Sequence, residues 1–106
     1  MMRLLSLIAA CLIAAPAVAE TSEQKAERCA AQAGIVEAAV TLRQDGRRQK
    51  RATRKILKSD PVKGTKYEAN VDVLVAWIYT LPAAQLNADT VQTFRQACLD
   101  FEQKPE

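Results

Sequence analysis

Two sulfurs, a dense run of cations and a few carboxylates are the groups in this chain whose types and spacing bear on chemistry. Cys29 and Cys98 lie far apart in sequence, and a third cysteine, Cys11, sits near the start. The separation excludes the C-x-x-C pattern of redox and haem-attachment sites. No histidine is present anywhere, so the residue that most often serves as general base or metal ligand near neutral pH is missing. Two thiols without histidine do not close a zinc site, and no metal or cofactor is expected. Glu23 and Glu27 stand one helical turn apart, with Glu37 further along, a spacing common among solvated helix carboxylates. Ser22 and Ser59 have no base to activate them, and there is neither a phosphate-cradling glycine loop nor a G-x-S-x-G elbow. The expectation is a protein without catalytic chemistry of its own.

The cations are the unusual feature. Between Arg43 and Lys66 stand ten basic residues, namely Arg43, Arg47, Arg48, Lys50, Arg51, Arg54, Lys55, Lys58, Lys63 and Lys66, against only Asp45 and Asp60. Outside that segment, residues 20–106 hold four basic and ten acidic residues. The chain is thus dipolar although its formal net charge is only +3. Arg47 with Arg51, Lys50 with Arg54, Arg51 with Lys55 and Arg54 with Lys58 are like-charge pairs at i,i+4, each destabilising a helix by roughly 0.2–0.5 kcal/mol. Arg47 and Arg48 also open the segment where the helix dipole is already positive. Either acidic residues of neighbouring helices, such as Glu37, Glu68 and Asp72, or an anionic partner must offset this repulsion. One reading is a solvated face that keeps a small protein soluble, screened by salt over about 8–10 Å. The other is an anion-binding surface made of Arg47, Arg48, Lys50, Arg51, Arg54, Lys55 and Lys58, which would steer acidic partners toward it. Nucleic acid is disfavoured as that partner, because no aromatics are interleaved for base stacking and because of the address the chain carries.

That address is residues 1–19. Arg3, an apolar run from Leu4 through Ala15, then Pro16 and Ala17-Val18-Ala19 read as a secretory signal peptide with an A-x-A site cleaved between Ala19 and Glu20. Two alternatives stand beside it. An uncleaved anchor has only about 16 apolar residues where a spanning helix takes roughly 20. The stretch Ile8-Ala9-Ala10-Cys11 resembles a lipobox, but only Leu4 to Ala10 precede its cysteine, at the short limit of the usual core of about 7–15 residues. With the leader removed, the expected location is periplasmic or secreted, and two cysteines remain in an oxidising compartment. Such a pair in a small exported domain reads as one disulfide. Closing roughly 70 residues, it should stabilise the fold by about 4 kcal/mol in the chain-entropy model.

A chain of 106 residues, 49% hydrophobic and with only three glycines and four prolines, permits one packed domain over residues 20–106 and excludes collagen-like, low-complexity and wholly disordered readings. Periodicity and caps divide it into four segments. The first spans Thr21–Asp45: Thr21-x-x-Gln24 forms a capping box, Gly46 ends the run, and Cys29, Ala33, Val36 and Val40 share a stripe. Gly34 inside it costs about 1 kcal/mol relative to Ala and marks a kink, a close helix contact or nothing beyond tolerance. The second, Arg47–Lys58, has a thin stripe of Ala52, Ile56 and Leu57. A loop over 59–64 follows, where Pro61 breaks the pattern. The third opens on Thr65-x-x-Glu68, a second capping box, and stacks Tyr67, Val71, Leu74, Ile78 and Leu81. Val71, Val73, Val75, Trp77 and Tyr79 also alternate as a strand would. Helix is preferred for residues 66–81 because no second strand-like segment exists to pair with them. The apolar residues encircle this segment, which places it at the centre of the bundle, with Trp77 and Tyr79 as core packing. Pro82 stops it. Asn87 caps the fourth segment, Leu86 and Val91 form a hydrophobic staple, and Val91, Phe94, Cys98 and Phe101 form its stripe. The fold expected is all-α, a small antiparallel bundle of about four helices whose disulfide joins the first helix to the last.

Ala26-Glu27-Arg28-Cys29 early, Trp77-Ile78-Tyr79-Thr80-Leu81-Pro82 later and a closing Cys98 give the chain a plan that resembles small disulfide-bonded helical periplasmic families. These are the acid-stress chaperones of the Hde type, the immunity proteins of the Rap/Tai type and a group of uncharacterised proteobacterial secreted proteins. The resemblance is one of architecture over residues 21–102 and carries over no functional residue. The cysteines here are more widely spaced than in the acid chaperones, and the basic second segment is not among their features. What it implies is a non-enzymatic protein-binding module, chaperone-like or immunity-like. The alternative from the residues themselves is a binder of an anionic envelope surface, lipid head groups or glycolipid, through residues 43–66. Lacking histidine, an acid-activated chaperone would have to switch by carboxylate protonation near pH 4.

Overall fold

The computed structural model describes residues 20–101, and the expected leader, its cleavage site and Cys11 lie outside them. Four α-helices follow one another: α1 Ser22–Gln44, α2 Gln49–Lys58, α3 Glu68–Ile78 and α4 Ala88–Asp100, with a 3-10 turn at Ala83–Gln85 before α4. No strand occurs among the described residues, so the alternation in α3 is not a strand signal. At the start of α1 the Thr21 side chain accepts from the Gln24 amide and the Gln24 side chain accepts from the Thr21 amide, the capping box its sequence predicts. At its end Gly46 takes φ +84°, a conformation that costs a side chain but not a glycine. Asn87 caps α4 by accepting from the Thr90 amide.

The helices run alternately up and down around one apolar cluster. Ile35, Val36, Ala39 and Val40 of α1 meet Ala52 and Ile56 of α2, and Val71, Val75 and Ile78 of α3, with Val62 and Leu86 from the connections. The hub is α1, which packs against all three other helices, whereas α3 packs mainly against α1 and α2. This corrects the expectation that α3 is central. Small residues on α1 (Ala33, Ala39) let neighbours approach from several sides, while Val73 on the far side of α3 is 65% exposed and Trp77 36% exposed. Trp77 is therefore not core: its ring lies 5.7 Å from that of Phe94 and bridges α3 to α4 at the surface.

Two further local expectations are corrected. Thr65 and Glu68 do not cap α3. The Thr65 hydroxyl is spent inside the preceding turn, donating to the Val62 carbonyl and accepting from the Tyr67 amide, and the Glu68 carboxylate accepts from the Gly64 amide, so the helix begins only at Glu68. Phe101 does not extend the α4 stripe. It follows the last helical turn and is 60% exposed.

Cys29 and Cys98 form the expected disulfide, with Cα atoms 5.7 Å apart, joining the first turns of α1 to the last turns of α4. Gly34, in mid-α1, has no neighbour within 4 Å of the position a Cβ would take, so no close helix contact requires it. Gly34→Ala should raise stability by about 1 kcal/mol through helix propensity alone, and a thermal melt moving up by roughly 4–8 °C checks it. A lower melting temperature would show a packing role for this glycine.

Candidate cationic face

α2 exists because two of its residues are buried. Ala52 and Ile56, one turn apart, are shielded from solvent, and Thr53 and Leu57 are half-buried on the flank. The opposite side carries Lys50, Arg51, Arg54, Lys55 and Lys58, with Arg47 and Arg48 just before it, and all seven are exposed. Nothing at its N-terminus favours this helix. Arg48 caps it without a side-chain hydrogen bond, and its first turn holds no acid. Ten residues are also fewer than the roughly 12–15 an isolated helix needs in water. It is held by tertiary contacts: the burial of Ala52 and Ile56 and the Tyr79 hydroxyl donating to the Arg47 carbonyl at 2.7 Å. Lys55 and Lys58 in the last turn lie favourably at the negative end of the helix dipole.

The intramolecular acids expected to neutralise this face do not pair with it. Among the described residues the ion pair is Glu20 with Arg28, at 2.8 Å. That hydrogen bond holds the Glu20 carboxyl below its ordinary range and raises the Arg28 guanidinium. Glu68 is engaged with the Gly64 amide. Arg51, Arg54, Lys55 and Lys58 line one shallow depression on the outer surface, and Arg47, Arg48 and Lys50 share another with Arg51 and Arg54. The seven side chains named from the sequence are thus brought together on one accessible face.

Arg43 is not part of it. Its guanidinium is half-buried, donates to the Ile78 and Leu81 carbonyls at the end of α3 and lies over the Tyr79 ring, 5.6 Å from its centre. Burial raises the Tyr79 phenol, an effect the nearby Arg43 charge opposes. Lys66 is drawn toward the Tyr67 ring. Glu23 and Glu27 are exposed, and among the described residues no group of three or more His, Cys, Asp or Glu side chains converges as metal ligands do. No helix among those residues is long and apolar enough to cross a membrane.

No family model matches the chain, and no curated protein or solved structure shows significant similarity to it.

Proposed function

We propose that this protein is a non-enzymatic binding module of the periplasm or the secreted space, and that the outer face of α2 is where it meets an anionic envelope surface. The observation that carries this reading is the seven exposed cations gathered on one face, five on α2 and two just before it, with no carboxylate among the described residues within ion-pair distance of them. An anionic layer supplies the missing counter-charge, and each Lys or Arg brought near such a surface contributes about 1 kcal/mol. The disulfide fits an oxidising compartment. An acid-activated chaperone gains less support, since the ion pair it would release, Glu20 with Arg28, is peripheral.

Vesicles test the reading. The oxidised protein should bind phosphatidylglycerol-containing vesicles and ignore phosphatidylcholine ones, with affinity falling steeply between about 50 and 200 mM salt as the Debye length contracts. The triple variant R51E/R54E/K55E should lose about tenfold or more. It should still fold, because three of the four like-charge i,i+4 pairs, at 47/51, 50/54 and 54/58, become opposite-charge pairs, which outweighs the one at 51/55 that stays like-charged. Binding indifferent to salt and to charge reversal sinks the reading.

A protein partner is the second reading, in keeping with the architectural resemblance to chaperones and immunity proteins. Val73, Trp77 and Phe101 favour it as exposed apolar side chains. Capture of one envelope protein by wild type but not by Trp77→Ser would select it.

A further inference from the structure

We infer that the protein takes a single-chain anionic amphiphile, with its head among the last-turn cations of α2 and its chain in an apolar cavity beside them. The head-group half rests on the function proposed above; the cavity is an independent observation. It has a volume of about 290 Å³ and lies between α1, the end of α2 and the turn that leads to α3, walled by Ala31, Gly34, Ile35, Ile56, Val62 and Tyr67. That is roughly twice the ~150 Å³ that accepts one benzene ring in an apolar protein interior, and close to the ~300 Å³ lower limit of ligand pockets. One alkyl chain fits such a space; a two-chain lipid does not.

Charge complementarity selects the head. Ile56, on the cavity wall with Ser59, belongs to the same final turn of α2 as Lys55 and Lys58, which line the depression on its outer side with Arg51 and Arg54, and Ser59 caps that turn. Ser59 caps the helix one turn beyond Lys55 and directly after Lys58, so the cavity mouth and these two ammonium groups share the end of α2. A chain entering past Ser59 therefore leaves its head group beside two ammonium groups. A phosphate or carboxylate is the chemistry that site accepts.

Gly34 supplies the second argument. It weakens α1 from within, and no atom lies within 4 Å of where its Cβ would be, so packing does not demand it. It sits on the wall of this cavity, and its missing side chain leaves that stretch of wall open. A larger residue there adds bulk at the cavity wall, starting from a Cβ position with no neighbour within 4 Å.

The experiment is calorimetry on the oxidised protein, as purified from the cells that make it, with decyl phosphate below its aggregation concentration. Decanol and inorganic phosphate are the arms that separate chain from head. Decyl phosphate should bind, and inorganic phosphate about a hundredfold more weakly, for want of any buried methylene. Gly34→Leu should weaken decyl phosphate by about tenfold or more while leaving vesicle binding and helical circular dichroism unchanged. Ala31→Leu, on the same wall, should repeat the loss if the first variant folds poorly. R51E/R54E/K55E should weaken decyl phosphate but not decanol. No binding of decyl phosphate, or binding equal in wild type and both leucine variants, overturns the inference and leaves a salt-sensitive vesicle result standing on its own. Leucine-sensitive binding that ignores charge reversal, together with absent vesicle binding, overturns the head-group assignment and the proposed function at once.

Discussion

Reduction of the disulfide, or Cys98→Ala, lowers stability by about 4 kcal/mol and the melting temperature by roughly 16–32 °C, at ~4–8 °C per kcal/mol for a domain of this size. The bond joins positions separated by 69 residues, so its loss frees most of the chain in the unfolded ensemble. The folded side adds to the effect. None of the residues of α4 is fully buried: Thr90, Val91, Phe94, Cys98 and Leu99 are half-covered and the rest are exposed. Apart from the sulfur bridge, the hydrogen bonds that tie α4 and its entry to α1 are those from the Lys25 ammonium to the Leu99 carbonyl, from the Arg28 guanidinium to Cys98 Sγ and from the Gln44 amide to the Leu86 carbonyl. Cys98 is the better position to change, because Cys29 is entirely buried and its truncation would add a cavity to the lost cross-link. The check is a pair of thermal melts, oxidised and reduced, with amide exchange located by residue. α4 should exchange first in the reduced protein. Superimposable melts would mean that the half-buried stripe of α4 suffices to hold it, and that the cross-link does not set the stability of the fold.

Why the four helices are legible in the residues, and their ranking is not, follows from the range of each signal. Thr21 with Gln24, Gly46 and Asn87 act on backbone groups within a few positions of themselves, so their sequence meaning survives folding. The cysteine pair is legible by elimination, since one partner remains for the other once the leader is set aside. The centre of the bundle depends on how closely helices approach. α3 is more apolar than α1, yet the small residues of α1 admit three neighbours, and Val73 and Trp77 are left facing outward. Thr65 and Glu68 show the same limit from another side: their pattern fits a capping box, but the turn over 59–67 needs those hydrogen-bonding groups for itself. Seven of the cations could be assigned to one face from spacing alone, because the opposite stripe of Ala52 and Ile56 is plain. The apolar cavity could not, since its walls come from α1, α2 and the following turn.

Arg43 is the cation whose role no spacing reveals, and Arg43→Ala is expected to cost about 2–3 kcal/mol. One end of its guanidinium serves two carbonyls, of Ile78 and Leu81, where α3 has run out of intrahelical partners, and the charge sits at the negative end of the α3 dipole. The plane lies over Tyr79, whose hydroxyl in turn donates to the Arg47 carbonyl. The ends of α1 and α3 and the start of α2 are fastened through this one side chain. Arg43→Lys should recover less than half of the loss, because an ammonium lacks the planar fork and the stacking face. Arg47→Ala, four residues on, is the contrast: its side chain is exposed, and removing it should shift stability by no more than about 0.5 kcal/mol while relieving its repulsion with Arg51. Vesicle binding should reverse the order, reduced by Arg47→Ala and unaltered by Arg43→Ala at temperatures where the variant remains folded. Denaturant titrations of both variants, paired with the vesicle assay, decide it. Equal small losses of stability would return Arg43 to the cationic face, and the α1–α3 junction would need another clasp.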